Sequence, residues 1–504
     1  MPLTVPWLPS LSLLFTFLLS LLAVSKFLRR SKFPLNLPPG PPKLPIIGNL
    51  HQFLGTGKVH SEAVRDLALK YGPVMQLQLG ELQAVVISSA KAAEEVLKTQ
   101  ELNFAQRPVV HAVELMPWSN AAIIFSPYNR HWREMRKIFV SELMSPTRVH
   151  AMRPIREDQV KLLIESVYDT KGRPFDLSRK IFRMTNNVVS RAIMKECKEQ
   201  DKFLSAVEEI LGLVDGFGLH DMFPSFKGLL DLVDGTTRAL KTLYGRLDMM
   251  LDPIIEEYRA KRKEASESEK SREEDLIDVL LRVEESGMEL TSDHIKATIL
   301  EFFGATSVII ATITEWTMSE LIRNPKVMEK TQAEARKVLG GKTEINEKDI
   351  EGLSYLRSVI KETLRMHPPG PLYVRECREK TQIHGYDVPA KTKILVSALS
   401  IGRDPECWED PEIFKPERFD GNEVNFKGTY YQYIPFGAGR RMCPGISFGL
   451  AIVDLPLAHL LCHFDWKLPD GVNADELNMD WVKGLSPRRK HGLYLAATPV
   501  CSSI

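Results

Sequence analysis

The 504-residue sequence predicts a mainly α-helical protein with a small β-rich portion, preceded by one N-terminal transmembrane helix. Three observations lead there. From Ala90 onward the apolar residues recur at helical spacing over most of the chain. Two short stretches, Tyr71–Ser89 and Thr381–Val396, carry the β-branched runs and turn residues of strands. Met1–Ser25 is rich in Leu and Phe, carries no charged side chain, and is long enough to cross a bilayer. Composition fits a large core, with 44% hydrophobic and 26% charged residues. A net charge of +1 argues against nucleic acid as a partner. The six cysteines (Cys197, Cys377, Cys407, Cys443, Cys462 and Cys501) are scattered with no CxxC pair, which fits a reducing compartment and no disulfide scaffold.

In chain order, residues 1–30 read as the membrane anchor. Lys26, Arg29, Arg30 and Lys32 follow the apolar run directly, so the body of the protein is expected on the cytosolic side. A basic n-region and a small-x-small cleavage site, which would mark a cleaved signal peptide, are both lacking. Residues 31–45 form a basic, proline-rich hinge. Leu37-Pro38-Pro39-Gly40-Pro41-Pro42 cannot be helical and favours a stiff extended segment. Residues 46–504 are expected to form the main domain. Tyr71–Ser89 reads as strands with a turn at Gly80-Glu81. Lys261–Glu274, a run of mixed charge, reads as a solvated helix end and loop. Ser292–Arg323 reads as a long apolar helix interrupted at Gly304-Ala305. Thr381–Val396 reads as strands with a turn at Gly385-Tyr386-Asp387-Val388-Pro389.

The chemistry gathers at Phe436-Gly437-Ala438-Gly439-Arg440-Arg441-Met442-Cys443-Pro444-Gly445, which runs into the apolar helix Ile446–Leu461. A thiolate presented by a loop at a helix N-terminus suits a soft metal, and haem iron with one cysteine axial ligand is the prime candidate. Glycines allow the backbone close to a flat macrocycle. The helix N-terminus favours the thiolate. Arg441 is placed to meet a propionate. Trp132 and Arg136 are four apart on a predicted helix, so indole N–H and guanidinium share a face on which a carboxylate fits. Glu362 and Arg365 are three apart on another helix, a spacing that usually makes a weak surface pair.

The pattern Phe436-x-x-Gly439-x-Arg441-x-Cys443-x-Gly445, together with the proline hinge, Trp132-x-x-x-Arg136 and Glu362-x-x-Arg365, resembles the cytochrome P-450 family. The likeness runs from the hinge to the C-terminus, and it is nearest to the plant microsomal group that oxidises terpenoids and terpenoid-derived alkaloids. It implies the cytochrome P-450 fold and haem b with Cys443 as the metal ligand. It further implies electrons from NADPH through NADPH-cytochrome P-450 reductase, a small lipophilic substrate, and a single-pass location in the endoplasmic reticulum membrane. On the same basis Trp132, Arg136, Arg375 and Arg441 bind the cofactor, with Phe436, Gly439 and Gly445 beside it. Glu362, Arg365 and Arg418 form a structural lock behind the thiolate loop. Val109–Phe125, Leu211–Phe223 and Gly484–Pro487 match substrate-contacting regions by position. Gly304, Ala305, Val308, Ile309 and Leu485 are the expected pocket residues.

Two departures qualify the likeness. The family continues its long helix with an acid and a hydroxyl that supply protons while dioxygen is cleaved. Keyed on Glu315-Trp316, those positions hold Val308 and Ile309, neither of which relays a proton. Thr306 and Thr312, three residues to either side of Ile309, are the candidate substitutes. The second departure follows Arg365, where Pro371-Leu372-Tyr373-Val374-Arg375-Glu376 lacks the proline usual before the arginine. Three outcomes stay open at this point: monooxygenation by a substitute proton path; desaturation, ring formation or rearrangement without net oxygen insertion; and a haem-binding protein without turnover.

Overall fold

In a computed structural model the chain is described over residues 35–53, 58–195, 200–214, 218–264, 274–340, 342, 344–482 and 487–500. The expected anchor, residues 1–30, and Leu485 lie outside the described residues. The longer helices are α1 (His60–Tyr71), α2 (Arg130–Ile138), α3 (Arg153–Tyr168), α4 (Leu177–Ile193), α5 (Gln200–Leu213), α6 (Thr236–Glu264), α7 (Leu276–Glu285), α8 (Ser292–Arg323), α9 (Pro325–Leu339), α10 (Ser354–Met366) and α11 (Ile446–His463). The strands are β1 (Val74–Leu79), β2 (Leu82–Ile87), β3 (Phe175–Asp176), β4 (Leu372–Glu376), β5 (Thr381–Ile383), β6 (Tyr386–Val388), β7 (Lys393–Ser397), β8 (Phe464–Lys467) and β9 (Tyr494–Pro499).

A helix that is apolar on every side must be covered on every side. α8 is such a helix, and it runs through the centre of the molecule against α4, α5, α10 and α11. α8 and α11 are both long and apolar enough to cross a membrane, yet most of their residues are buried within the protein, as in core helices. α8 is continuous through Gly304 and Ala305, against the expected interruption. A helical glycine costs about 1 kcal/mol but removes no backbone hydrogen bond, and Leu211 of α5 packs beside Gly304.

The main sheet has the order β1-β2-β7-β4. β1 and β2 form an antiparallel hairpin closed by Gly80, whose φ is +62°. β7 is parallel to β2 and antiparallel to β4, which sets Arg375 opposite Ile394. The expected turn at Gly385–Pro389 is displaced. His384 and Gly385, with φ of +49° and +78°, make the turn, and Tyr386–Val388 is itself β6. Two consecutive residues of positive φ match the right-handed twist of a two-residue hairpin.

The described part of the hinge is docked. Pro39 O accepts from Gln76 N of β1 at 2.8 Å, and Asn49 Nδ2 donates to Pro41 O and Pro42 O at 3.1 and 3.0 Å. The charged run is not wholly solvated either. Arg262 is 6% exposed and holds Glu285, and Glu274 bonds Arg148 and Arg282. Residues 265–273 lie outside the described residues.

Candidate functional site

Helix geometry places the first polar network. On α10 the i,i+3 spacing brings Arg365 Nε and Nη2 onto the two oxygens of Glu362 at 2.7 and 2.8 Å, both side chains fully buried. Glu362 Oε1 also accepts from Arg418 Nε at 3.0 Å and from Lys415 N at 2.8 Å. The remaining Arg365 N–H groups reach the carbonyls of Gly402, Pro411 and Ile413. A buried ion pair is tolerable only when its hydrogen bonds are complete, and this one is, so the spacing is far from the weak surface pair it usually makes. Trp408 lies against both guanidiniums, 5.4 Å from Arg365 and 5.9 Å from Arg418, and donates to Gln432 O. Tyr433 donates to Lys361 O at 2.9 Å. The network is thereby joined to the segment that leads into Phe436–Gly445.

That segment opens onto a cavity between α8, α2, β4 and the N-terminal end of α11. Among the described cysteines, Cys443 alone lines it. Cys377 and Cys462 are buried elsewhere, and Cys407 lies on the surface. Cys443 N donates to Phe436 O at 3.0 Å, which folds the loop so that the sulfur faces the cavity. Burial pushes the thiol up; the Gly445 N–H and the Arg136 guanidinium oppose that. A metal bound there would deprotonate the thiol outright.

Phe436, Gly445, Trp132, Arg136, Arg375 and Arg441 all border the cavity. Gly439 does not. Its φ is +68°, and a Cβ there would stand 2.5 Å from Leu97 O and from Glu101 Oε1, so its glycine serves the packing behind the loop. Gly437, with φ of +72°, is the loop glycine that lines the cavity. Trp132 shares a face with Arg136, but its indole N–H is taken by Ile123 O at 3.1 Å; what it offers is a ring, over which Arg441 lies at 4.3 Å. Arg136 donates to Met442 O. Arg441 donates to Ala105 O, Ile123 O and Ser126 O.

A fourth guanidinium, Arg107, joins Arg136, Arg375 and Arg441 at the cavity. It donates to Val374 O at 2.6 Å, and its buried Nε has no partner. Burial and mutual repulsion lower Arg375 well below its ordinary range and Arg441 to about 9; burial lowers Arg107 to about 10. Among the described residues the one carboxylate lining the cavity, Glu301, is engaged by Ile123 N and Ile124 N at 2.7 Å each, and burial raises it to about 7. Crowded guanidiniums with a spare buried donor and too little negative charge are what the two carboxylates of an iron porphyrin would complete, opposite a single sulfur ligand. The donor set fits haem. Arg107 and Glu301 were missed by sequence reasoning. Arg107 sits in no motif, whereas a lone carboxylate within the apolar run Ile299–Phe303 was a signal that could have been read.

Apart from Glu301 and Thr306, the α8 side of the cavity is apolar. Ala305, Ile309, Ile310 and Ile313 line it, with Phe302. Gly304 and Val308, expected in the pocket, are not among its lining residues. The two candidate hydroxyls are also separated. Thr306 lines the cavity and donates to Phe302 O. Thr312 is 2% exposed, lies off the cavity, and donates to Val308 O at 2.7 Å. Six residues on a helix stand about 120° apart around the axis and about 9 Å apart along it, and of the two only Thr306 reaches the cavity. His367, adjacent to Met366 at the end of α10, is stacked on Trp316 at 4.1 Å and bonded to Glu320 at 2.6 Å, which ties α10 to α8 inside the core.

The cytochrome P-450 family model matches residues 38–494. A melianol synthase from Ailanthus altissima is 49% identical over 498 residues, covering 98% of this chain and 96% of its own. A tabersonine 3-oxygenase from Catharanthus roseus is 44% identical, covering 93% and 94%. A 5-epiaristolochene 1,3-dihydroxylase from Nicotiana tabacum is 43% identical, covering 97% and 98%. A zebrafish cytochrome P-450 solved with progesterone superposes with a TM-score of 0.74 at 24% identity, covering 87% of this chain and 99% of that one.

Proposed function

The chain belongs to the cytochrome P-450 family, and we propose that it is a membrane-bound oxidase of plant specialised metabolism acting on a lipophilic terpenoid or terpenoid-derived alkaloid. It is a haem-dependent oxidoreductase of the monooxygenase type, supplied with electrons by a redox partner. In the proposed reading that partner is NADPH-cytochrome P-450 reductase at the endoplasmic reticulum membrane. The observation that carries the reading is Cys443 opening into an apolar cavity beside four guanidiniums.

Bound haem supplies dioxygen activation at an iron under a thiolate ligand. The chain's part is to hold and surround it. Cys443 would ligate the iron. Arg136, Arg375, Arg441 and Arg107 would hold the propionates, with Trp132 buttressing Arg441. Phe436, Gly437 and Gly445 would flank the sulfur. Glu362, Arg365 and Arg418 would keep the loop in place through Trp408. Ala305, Ile309, Ile310 and Ile313 would exclude water and pack against an apolar substrate. The relatives named for melianol, tabersonine and 5-epiaristolochene support the substrate class.

Membrane attachment has support beyond the anchor. Leu35, Leu37, Leu44 and Ile46 are exposed near the start of the described chain, as are Leu219, Phe226, Leu229, Leu232 and Val233. Glu81 N donates to Met222 O at 2.7 Å and Gly48 bridges to Leu79, so both groups belong to one region of the surface. Apolar side chains there suit contact with the bilayer that residues 1–30 would enter.

A second reading, desaturation, ring formation or rearrangement, is favoured by one observation: Val308 and Ile309 stand where the family's acid and hydroxyl would stand. Microsomes holding the chain and reductase, given a panel of terpenoids and indole alkaloids under isotopically labelled dioxygen, separate the readings. Labelled oxygen in the product supports monooxygenation. Unlabelled, dehydrogenated or rearranged product supports the second reading. Absence of any product across the panel would leave a haem-binding protein without turnover.

A further inference from the structure

Residues 122–126 belong to no helix or strand, so the buried backbone N–H groups there need partners from elsewhere. Two adjacent ones find them on α8. Ile123 N donates to Glu301 Oε2 and Ile124 N to Glu301 Oε1, each at 2.7 Å. One carboxylate thus takes both N–H groups, one on each oxygen, in short charge-assisted bonds of the stronger kind. The Arg441 and Arg107 guanidiniums also favour its charged form, against burial. The same stretch of backbone is gripped from the other direction. Ile123 O accepts from Trp132 Nε1 at 3.1 Å and from Arg441 Nη1 at 3.3 Å, and Ser126 O accepts from Arg441 Nη2 at 2.6 Å.

Where this segment stands matters to the cavity, because Ile123 and Ile124 line it together with Glu301 itself. α8 is a core helix, most of it buried, so the carboxylate it carries sets where the two isoleucines stand. We propose that Glu301 is a positioning residue that determines the specificity of the cavity: it binds the backbone of residues 122–126 rather than the substrate, and holds the Ile123–Ile124 wall in register with Arg441. The proposal rests on haem held at Cys443 and not on whether the substrate is a terpenoid or an alkaloid. The chemistry asks for a carboxylate, which offers two equivalent acceptors. An amide offers one acceptor oxygen, and its NH2 turned to the second N–H sets donor against donor. Aspartate keeps both acceptors on a shorter stem. Glu301→Gln therefore releases the segment, whereas Glu301→Asp draws it towards α8 and keeps it held.

The test uses the haem-loaded full chain. Hydrogen exchange, read by mass spectrometry with fragmentation to single amides, is expected to show Ile123 and Ile124 protected in the wild type although they lie outside helix and sheet. Glu301→Gln is expected to speed their exchange about tenfold, the loss of one hydrogen bond, and Glu301→Asp to leave it near the wild-type rate. Binding of imidazole and of 4-phenylimidazole, read from the haem absorption, gives a second measure that needs no turnover. The ratio of their affinities is expected to shift in Glu301→Gln and to return towards the wild-type value in Glu301→Asp. Unprotected amides in the wild type, a readout that needs no variant to fold, would overturn the proposal, as would equal exchange in the wild type and Glu301→Gln. A shifted ratio with unchanged exchange would overturn it too, since Glu301 would then meet the ligand itself. So would faster exchange with an unshifted ratio, which would leave Glu301 a structural contact only. A panel of terpenoids and alkaloids that all go unoxidised bears on the substrate class alone and changes none of these readouts.

Discussion

The two sides of the cavity solve opposite problems. Behind the thiolate loop, every donor and acceptor of Glu362 and Arg365 is matched: one carboxylate takes Arg365 twice, Arg418 and Lys415 N. Along α8 the hydroxyls of Thr306, Thr312, Thr314, Thr317 and Ser319 all turn back to the carbonyl four residues earlier. The first side holds charge in a buried place and needs fixed partners to do it. The second side shows the cavity mostly hydrocarbon: its hydroxyls are spent on the helix itself, and Glu301, its carboxylate there, is held by Ile123 N and Ile124 N. In the proposed reading, rigidity on one side and polarity withheld on the other would together give a site that fixes a cofactor tightly and reads its substrate by shape.

Breaking the first side should cost most. Cys443→Ser is expected to abolish the thiolate signature in the reduced carbon monoxide difference spectrum, because an alcohol is a poor donor to a soft site. Glu362→Ala is expected to cost about 3–5 kcal/mol by stranding Arg365 without its anion, seen as a shifted urea midpoint and low haem content. Arg418→Ala sharpens the comparison. It removes one of the carboxylate's hydrogen bonds, with Arg418's own bonds to the carbonyls of Glu409, Asp410 and Ile413, and leaves the bidentate pair intact, so the same denaturation should show a smaller loss, about 1.5–3 kcal/mol. Equal losses for the two variants would mean that the carboxylate is held by all its partners jointly and not chiefly by Arg365. The smallest effect on stability belongs to the second side. Thr312→Val keeps shape and removes a bond whose carbonyl still accepts within the helix, so stability should change by less than about 1 kcal/mol.

How much was legible in the sequence follows the same division. Glu362–Arg365 and Trp132–Arg136 were readable because helical spacing alone puts each pair on one face. Cys443 was readable because loop, sulfur and following helix are contiguous. Arg107 and Glu301 were not, since their place beside Arg375 and Arg441 depends on β4 and α8 meeting segments far away in the chain. Gly439 was identified as a loop glycine but given the wrong neighbour: Leu97 and Glu101 require it, from the side away from the cavity. The helix break expected at Gly304-Ala305 failed because tertiary packing on α8 outweighs a local propensity worth about 1 kcal/mol. The turn before β6 was displaced because two residues of positive φ, one of them a non-glycine, suffice for the hairpin.

The central claim concerns α8: with Val308 and Ile309 in place of an acid and a hydroxyl, Thr306 is the one side-chain hydroxyl that this helix brings to the cavity among the described residues. Its oxygen donates to Phe302 O and keeps a lone pair with which to hold a water. The direct test is product formed per NADPH consumed, with reductase and a turned-over substrate, for Thr306→Val and Thr312→Val side by side. A residue that serves a proton path is worth about 10²–10⁴-fold in rate. The account predicts a loss of that order for Thr306→Val, with NADPH consumption uncoupled from product, and no material loss for Thr312→Val. Equal turnover and coupling in the two variants, or a larger loss at Thr312, would contradict it.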